Sequence, residues 1–174
     1  TLRTSSSRGV DVDALDLAGI IKATLAISGE VRSEALFASL MSTLLENAAA
    51  QRGLLIAYDA EGGAATIEAE ADVAASPRLG SRPPSASDLC LSVLQLAARS
   101  REPVVVDDAS ADPLLGADPY VLARRSRSLL CVPIVNQGRL VAAFYAENAA
   151  TVRAFSPARV ATLRLIASQA AISI

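Results

Sequence analysis

The chain has 174 residues, 52% of them apolar and 20% charged, which suits one globular domain with a full hydrophobic core. A net charge of −2, with fifteen arginines and the single lysine Lys22, excludes the basic footprint of a nucleic-acid binder. The absence of histidine excludes Ser-His and Cys-His nucleophile pairs, imidazole-ligated haem and most zinc catalysis.

Residues 1–12 are polar and read as a disordered N-terminal segment. From Asp13 to Ser28 the period is helical, with Leu17, Ile20, Ile21 and Leu25 on one side, Asp13 as N-cap and Gly29 as the stop. Its narrow stripe places this helix, 13–29, outside the domain proper, which the sequence bounds at 30–174. Ser33 caps a second helix running to about Gln51, whose broad face (Leu36, Phe37, Leu40, Met41, Leu44, Leu45, Ala48) predicts packing on a sheet. Strands follow at Leu54–Tyr58 and about Ala65–Ala71, with Ile67 and Ala69 expected on one face. The Pro-, Ser- and Gly-rich stretch 74–86 reads as a loop suited to a lid. A helix from about Ser87 to Arg99 has Leu89, Val93, Leu96 and Ala97 facing in, and Pro103–Val106 is a short strand ended by Asp107-Asp108. One helical turn is expected at Pro119–Arg124.

The central stretch comes next. Leu129–Val135 and Leu140–Ala146 flank Asn136-Gln137-Gly138 and predict a β-hairpin. Both arms are apolar at nearly every position, so protein should cover them on both faces. Ser156-Pro157 then opens a last helix, a capping serine followed by proline at N1. Val160, Leu163, Ala167, Ala170 and Ile174 are spaced as a heptad seam, which fits either a partner helix or the helix's own domain. A chain ending inside a regular helix reads as part of something longer. The start, TLRTSSSRG, is no signal peptide, no apolar run is long enough for a membrane span, and two cysteines make no disulfide framework. A cytoplasmic location without membrane contact is expected.

Four blocks now carry a resemblance: AISGEVRSEALFASLMSTLLENAAAQRGLLI (26–56), REPVVVDDAS (101–110), RSRSLLCVPIVNQGRLVAAFYAEN (125–148) and FSPARVATLRLIASQAAISI (155–174). In this order they resemble a GAF domain, most closely those inside large bacterial kinases that join Ser/Thr-kinase-like and ATPase-like regions to a histidine-kinase transmitter. The resemblance implies an α+β, PAS-like fold: an antiparallel sheet of five to six strands in the order 2-1-5-4-3, helices on one face, and a ligand pocket on the other under 74–98 and 107–126. It implies that the end helices pair in a homodimer, through Leu17, Ile21, Val160, Leu163, Ala167, Ala170 and Ile174, and signal to adjacent kinase or transmitter domains of the same chain. No catalytic residue and no metal ligand is expected.

Cyclic-nucleotide-binding members carry Asn-Lys, a Phe further on, and Asp-Glu after three more residues. Here those positions read Asn148-Ala149, Phe155 and Arg159-Val160, so two of the five residues match and a cyclic nucleotide is not expected. Bilin-binding members need a cysteine, usually beside a histidine, and haem-binding members a histidine; neither group is expected. The ligand, if the domain takes one, stays unnamed. Leu89, Cys90, Val93, Tyr120 and Tyr145 are candidates to line its pocket. Arg124, Arg125 and Arg127 could pair with a phosphate or carboxylate, or instead lie on a solvated face or bridge to Asp107, Asp108 or Asp112. Cys90 and Cys131 could sense redox state or simply fill a core. Asp107 is a further candidate, although adjacent carboxylates at a strand end point apart and more often cap loops. Reductases of this fold that act on free methionine sulfoxide use several cysteines around the pocket, which two in non-matching contexts do not reproduce.

Overall fold

The hairpin forms where the sequence predicts it. In the structure, a computed structural model that describes residues 33–172, Gln137 and Gly138 both have positive φ (48° and 77°), as a type I′ turn requires. The helix expected at Asp13–Ser28, with Leu17 and Ile21, and the terminal Ile174 lie outside the described residues.

The elements run α1 (Ser33–Ala48), β1 (Arg52–Tyr58), β2 (Ala65–Asp72), β3 (Arg78–Arg82), α2 (Leu91–Ser100), β4 (Val104–Val106), α3 (Pro119–Arg124), β5 (Ser128–Asn136), β6 (Arg139–Asn148) and α4 (Pro157–Ala170). Six antiparallel strands make one sheet in the order β3-β2-β1-β6-β5-β4. This is the expected PAS-like order with one strand added at the edge. That strand, β3, corrects the reading of 74–86 as a loop: Arg78, Leu79 and Arg82 pair with β2, and all five of its residues are exposed, so it carries no apolar pattern.

Helices cover both faces. On one, Leu40, Met41, Leu44, Leu45 and Ala48 of α1 pack with Leu163, Ile166, Ala167 and Ala170 of α4 over Leu55, Leu130, Val132, Ile134 and Phe144. On the other, Leu89, Val93, Leu94 and Ala97 in and before α2, with Tyr120 and Val121 of α3, close over Leu54, Ile56, Ile67, Leu129, Cys131 and Tyr145. We call these the helix face and the cap face. Gly53 allows the first to close tightly, since a Cβ there would lie 2.9 Å from the Phe144 ring. α1 leaves and α4 enters at one end of the sheet, where Arg52 stands opposite Glu147.

Other expectations change for physical reasons. Ile67 and Ala69 face opposite sides, because the register skips Glu68 in a bulge opposite Leu55 and Ile56. α1 stops at Ala48, where Ala49 turns left-handed (φ 54°), rather than near Gln51. α2 starts at Leu91, with Asp88 in the preceding turn rather than in the helix, so its inner stripe includes Leu94 while Leu96 is exposed. Leu163, Ala167 and Ala170 fill the domain's own core, with Val160 packed at its edge. Those seam positions are therefore not free surface for a partner. The cap of α4 is as expected: Ser156 Oγ accepts from Arg159 N at 3.4 Å with Pro157 at N1.

Candidate functional site

Charged side chains gather at the sheet end where α1 and α4 meet it. Arg52 lies two residues before Leu54, and Glu147 two after Tyr145, so strand alternation turns both toward the cap face. Glu70, opposite Leu54 on β2, joins them. The Arg52 guanidinium, nine-tenths buried, donates to Glu70 Oε1 (2.8 and 2.9 Å), the Asp88 carbonyl (2.9 Å), the Tyr120 hydroxyl (2.6 Å) and Glu147 Oε1 (3.4 Å).

The cap supplies the other half of the cluster. Asp118 caps α3, accepting from the backbone N–H groups of Tyr120 (2.8 Å) and Val121 (3.2 Å), and this fixes Tyr120. The Tyr120 hydroxyl donates to Glu147 Oε2 at 2.8 Å. Arg124, in the last turn of α3, reaches Glu147 Oε1 at 3.2 Å, and Ser126 Oγ donates to Oε2 at 3.4 Å. At the margin, Arg82 of β3 bridges Glu70 (3.2 Å) and Asp88 (2.5 Å). Arg52, Arg82 and Arg124 thus balance Glu70, Asp88 and Glu147.

Titration follows from these contacts. Burial works to lower the Arg52 pKa, but Tyr120, Glu70 and Glu147 more than offset it, so the group is held more firmly charged than usual. Burial would raise Glu70, yet the hydrogen bond and charge of Arg52 leave its carboxyl below the usual range. Burial first, then the Glu147 carboxylate, push the Tyr120 phenol up.

The structure brings together most of the residues the sequence singled out. Leu89, Cys90, Val93, Cys131 and Tyr145 share the cap-face core with Tyr120, each at most 4% exposed. Their side chains fill that interface; Tyr145 OH, for example, accepts from Cys90 N at 3.2 Å. Leu115 joins them, whereas the adjacent Leu114 points away at 87% exposure. Arg124 pairs with Glu147 rather than with Asp107, Asp108 or Asp112. Arg127 extends its side chain to solvent and ties in through its backbone, donating to the Asn148 carbonyl.

Asp107 lies apart from the cap-face core, 3.9 Å from Arg153, in an open groove of about 510 Å³ that also includes Val105, Phe155, Val160 and Arg164. Asp108 caps its own loop through Ser110 and Ala111. Arg52, Glu70 and Glu147 were not anticipated. The available signal was a charge at a core-facing position of a strand, two residues from a buried apolar neighbour.

Neither thiol is prepared for nucleophilic chemistry. Burial pushes Cys131 up to about 12, and Cys90 is also raised, by burial first, although its Sγ lies 3.6 Å from Ser92 Oγ. Among the described residues, no three His, Cys, Asp or Glu side chains converge as a metal site, and no helix is long and apolar enough to cross a membrane. Asn148 is engaged locally: its Oδ1 accepts from Ala150 N and Thr151 N (2.9 Å each), and its Nδ2 donates to the Ala49 carbonyl (3.2 Å).

These features define an α+β domain of PAS-like sheet order with a helix-capped second face. A family profile for the GAF domain matches residues 32–174. The chain belongs to the GAF domain family. It is 40% identical over 86 residues to hybrid signal transduction histidine kinase G of Dictyostelium discoideum, a match covering 49% of this chain and 2% of that protein. Solved structures share the fold, two of them as follows. The free methionine-R-sulfoxide reductase of Neisseria meningitidis has a TM-score of 0.62 and 19% identity, over 99% of this chain and 93% of that one. The blue-light-absorbing form of the PixJ GAF domain of Thermosynechococcus elongatus has a TM-score of 0.62 and 20% identity, over 80% and 83%.

Proposed function

We propose that the chain is a non-catalytic regulatory domain of a cytoplasmic signalling kinase, and that it passes the state of its cap to attached kinase or transmitter domains through its end helices. The observation that carries this is the Arg52–Glu147 cluster, which joins the cap to the sheet end where α1 and α4 meet it. The likeness to a signalling histidine kinase supports the output, and the raised thiol pKa values weigh against a thiol enzyme. A small ligand would enter under α2 and contact Leu89, Cys90, Val93, Tyr120, Cys131 and Tyr145, with Arg124 at the rim. Haem, bilin and cyclic nucleotide are not proposed as that ligand, since histidine is absent from the sequence and Ala149 and Arg159-Val160 stand where the cyclic-nucleotide motif has its lysine and acidic pair. Homodimerisation is part of the proposal, with Leu165 and Ile172, both exposed, as contact positions.

One observation favours a second reading, a spacer that takes no ligand: Leu89, Cys90, Cys131 and Tyr145 are each fully buried. Autophosphorylation of the full-length protein carrying Val93→Trp separates the two. An indole at this buried position must lift α2 from the sheet. Regulation predicts that output changes fivefold or more while the domain stays folded. Unchanged output selects the spacer.

A further inference from the structure

We propose that Arg52, Glu147 and Tyr120 form a latch, a two-state contact that reports cap position to α1 and α4. This rests on the regulatory reading above and names its internal link.

The case begins with who donates to whom. Glu147 accepts from four side chains, and three of them (Tyr120, Arg124 and Ser126) belong to α3 and the turn after it. Arg52 donates to Glu70 and Glu147 on the sheet, and to the Tyr120 hydroxyl and the Asp88 carbonyl on the cap. If the cap withdraws, Glu147 keeps Arg52 alone, at 3.4 Å. Glu147 would then lose three of its four side-chain donors at once while Arg52 keeps Glu70, and a buried carboxylate left half-satisfied in a low dielectric is less stable than either a closed or a hydrated one. The contact is therefore discrete.

Its position gives it leverage. Arg52 follows α1 by four residues, and Glu147 and Asn148 at the end of the neighbouring β6 lead into the segment before α4. Backbone and side-chain bonds tie those junctions to each other: Gln51 N to the Glu147 carbonyl (2.9 Å), Ala149 N to Gln51 Oε1 (2.8 Å), and Asn148 Nδ2 to the Ala49 carbonyl (3.2 Å). A shift of Glu147 thus loads both helix junctions at once. An element that two sites bias in common is the physical requirement for coupling.

Hydrogen exchange of the whole chain tests the latch, with Tyr120→Phe as the cap-side variant. The ring stays, and only the hydroxyl that bridges Arg52 and Glu147 is removed. Leu122→Ser, exposed on the same short helix, is the control. The expected result is exchange at least tenfold faster both in the cap (85–97) and in the junctions at 49–52 and 147–157, with no change for Leu122→Ser. Arg124→Gln should give the same pattern at smaller amplitude. Faster exchange confined to the cap, or an equal response in Leu122→Ser, overturns the latch.

The two ideas fail separately. Linked exchange in a protein whose kinase output ignores Val93→Trp leaves the latch standing and removes the regulatory role. Output that responds to Val93→Trp without linked exchange removes the latch alone.

Discussion

The two faces of the sheet are held by different forces. The helix face is a wholly apolar contact of α1 and α4 with residues of four strands, β1, β2, β5 and β6, and such attraction has no direction. The cap face has a smaller apolar core and is pinned at one margin by directional, charged bonds. Non-directional packing weakens gradually, whereas a balanced charge cluster is either made or broken. One face can therefore serve as the foundation while the other changes state.

The sharpest way to break this contrast is to hollow the foundation. Phe144 is fully buried against Leu45 and Gly53, and Phe144→Ala should cost about 3–5 kcal/mol in urea unfolding. Next is the cap margin. Glu147→Gln keeps shape but leaves Arg52 and Arg124 without their shared counter-charge, and should cost about 3 kcal/mol. Its signature is loss of cap protection before helix-face protection in hydrogen exchange.

Alkali probes the cap face more gently. Cys131 is held at about 12 against an ordinary 9.0, and Tyr58 at about 12 against 10.0, both by burial first. The unfolded groups therefore lose their protons first. The contribution of these groups is intact below pH 9; that of Cys131 is then lost at about 1.4 kcal/mol per pH unit up to about pH 12, and Tyr58, partly exposed, adds a smaller loss only above pH 10. Cys131→Ala should flatten that decline in thermal melts between pH 8 and 11. Tyr120→Phe, which removes bonds to two charged partners, should cost about 1.5 kcal/mol. The smallest effect on stability is expected from Leu165→Asp, on the exposed side of α4. It should change unfolding by less than about 0.5 kcal/mol yet lower the dimer fraction in light scattering. Leu163→Asp is unsuitable for that purpose, since it would bury a charge in the domain's own core.

Much of the architecture was legible because it is written in apolar periodicity. The hairpin, the doubly covered strands, the broad face of α1 and the Ser156-Pro157 start of α4 all rest on patterns of burial or capping that a sequence displays directly. What escaped has no such pattern. β3, Arg-Leu-Gly-Ser-Arg, has nothing buried to alternate, and its pairing depends on where β2 ends up. The bulge at Glu68 is a choice of register between strands, which neither strand encodes alone. The residues Leu89, Cys90, Val93, Tyr120, Cys131 and Tyr145 were named as candidates to line a pocket, and the structure packs them into one buried core. Their charged neighbours Arg52, Glu70 and Glu147 were not, because a charge near a strand end looks like solvent-facing surface until its counter-charges are brought in from other elements. The heptad spacing in α4 was real but ambiguous, and the domain uses Leu163, Ala167 and Ala170 for itself.

The sheet's margins have a consequence for assembly. At one border the backbone is flanked by Arg78 and Arg82, and at the other it spans just Val104–Val106. Charge at one border and brevity at the other both discourage foreign strands from adding on. Two copies of this domain brought side by side would therefore resist fusing their sheets into one continuous ribbon.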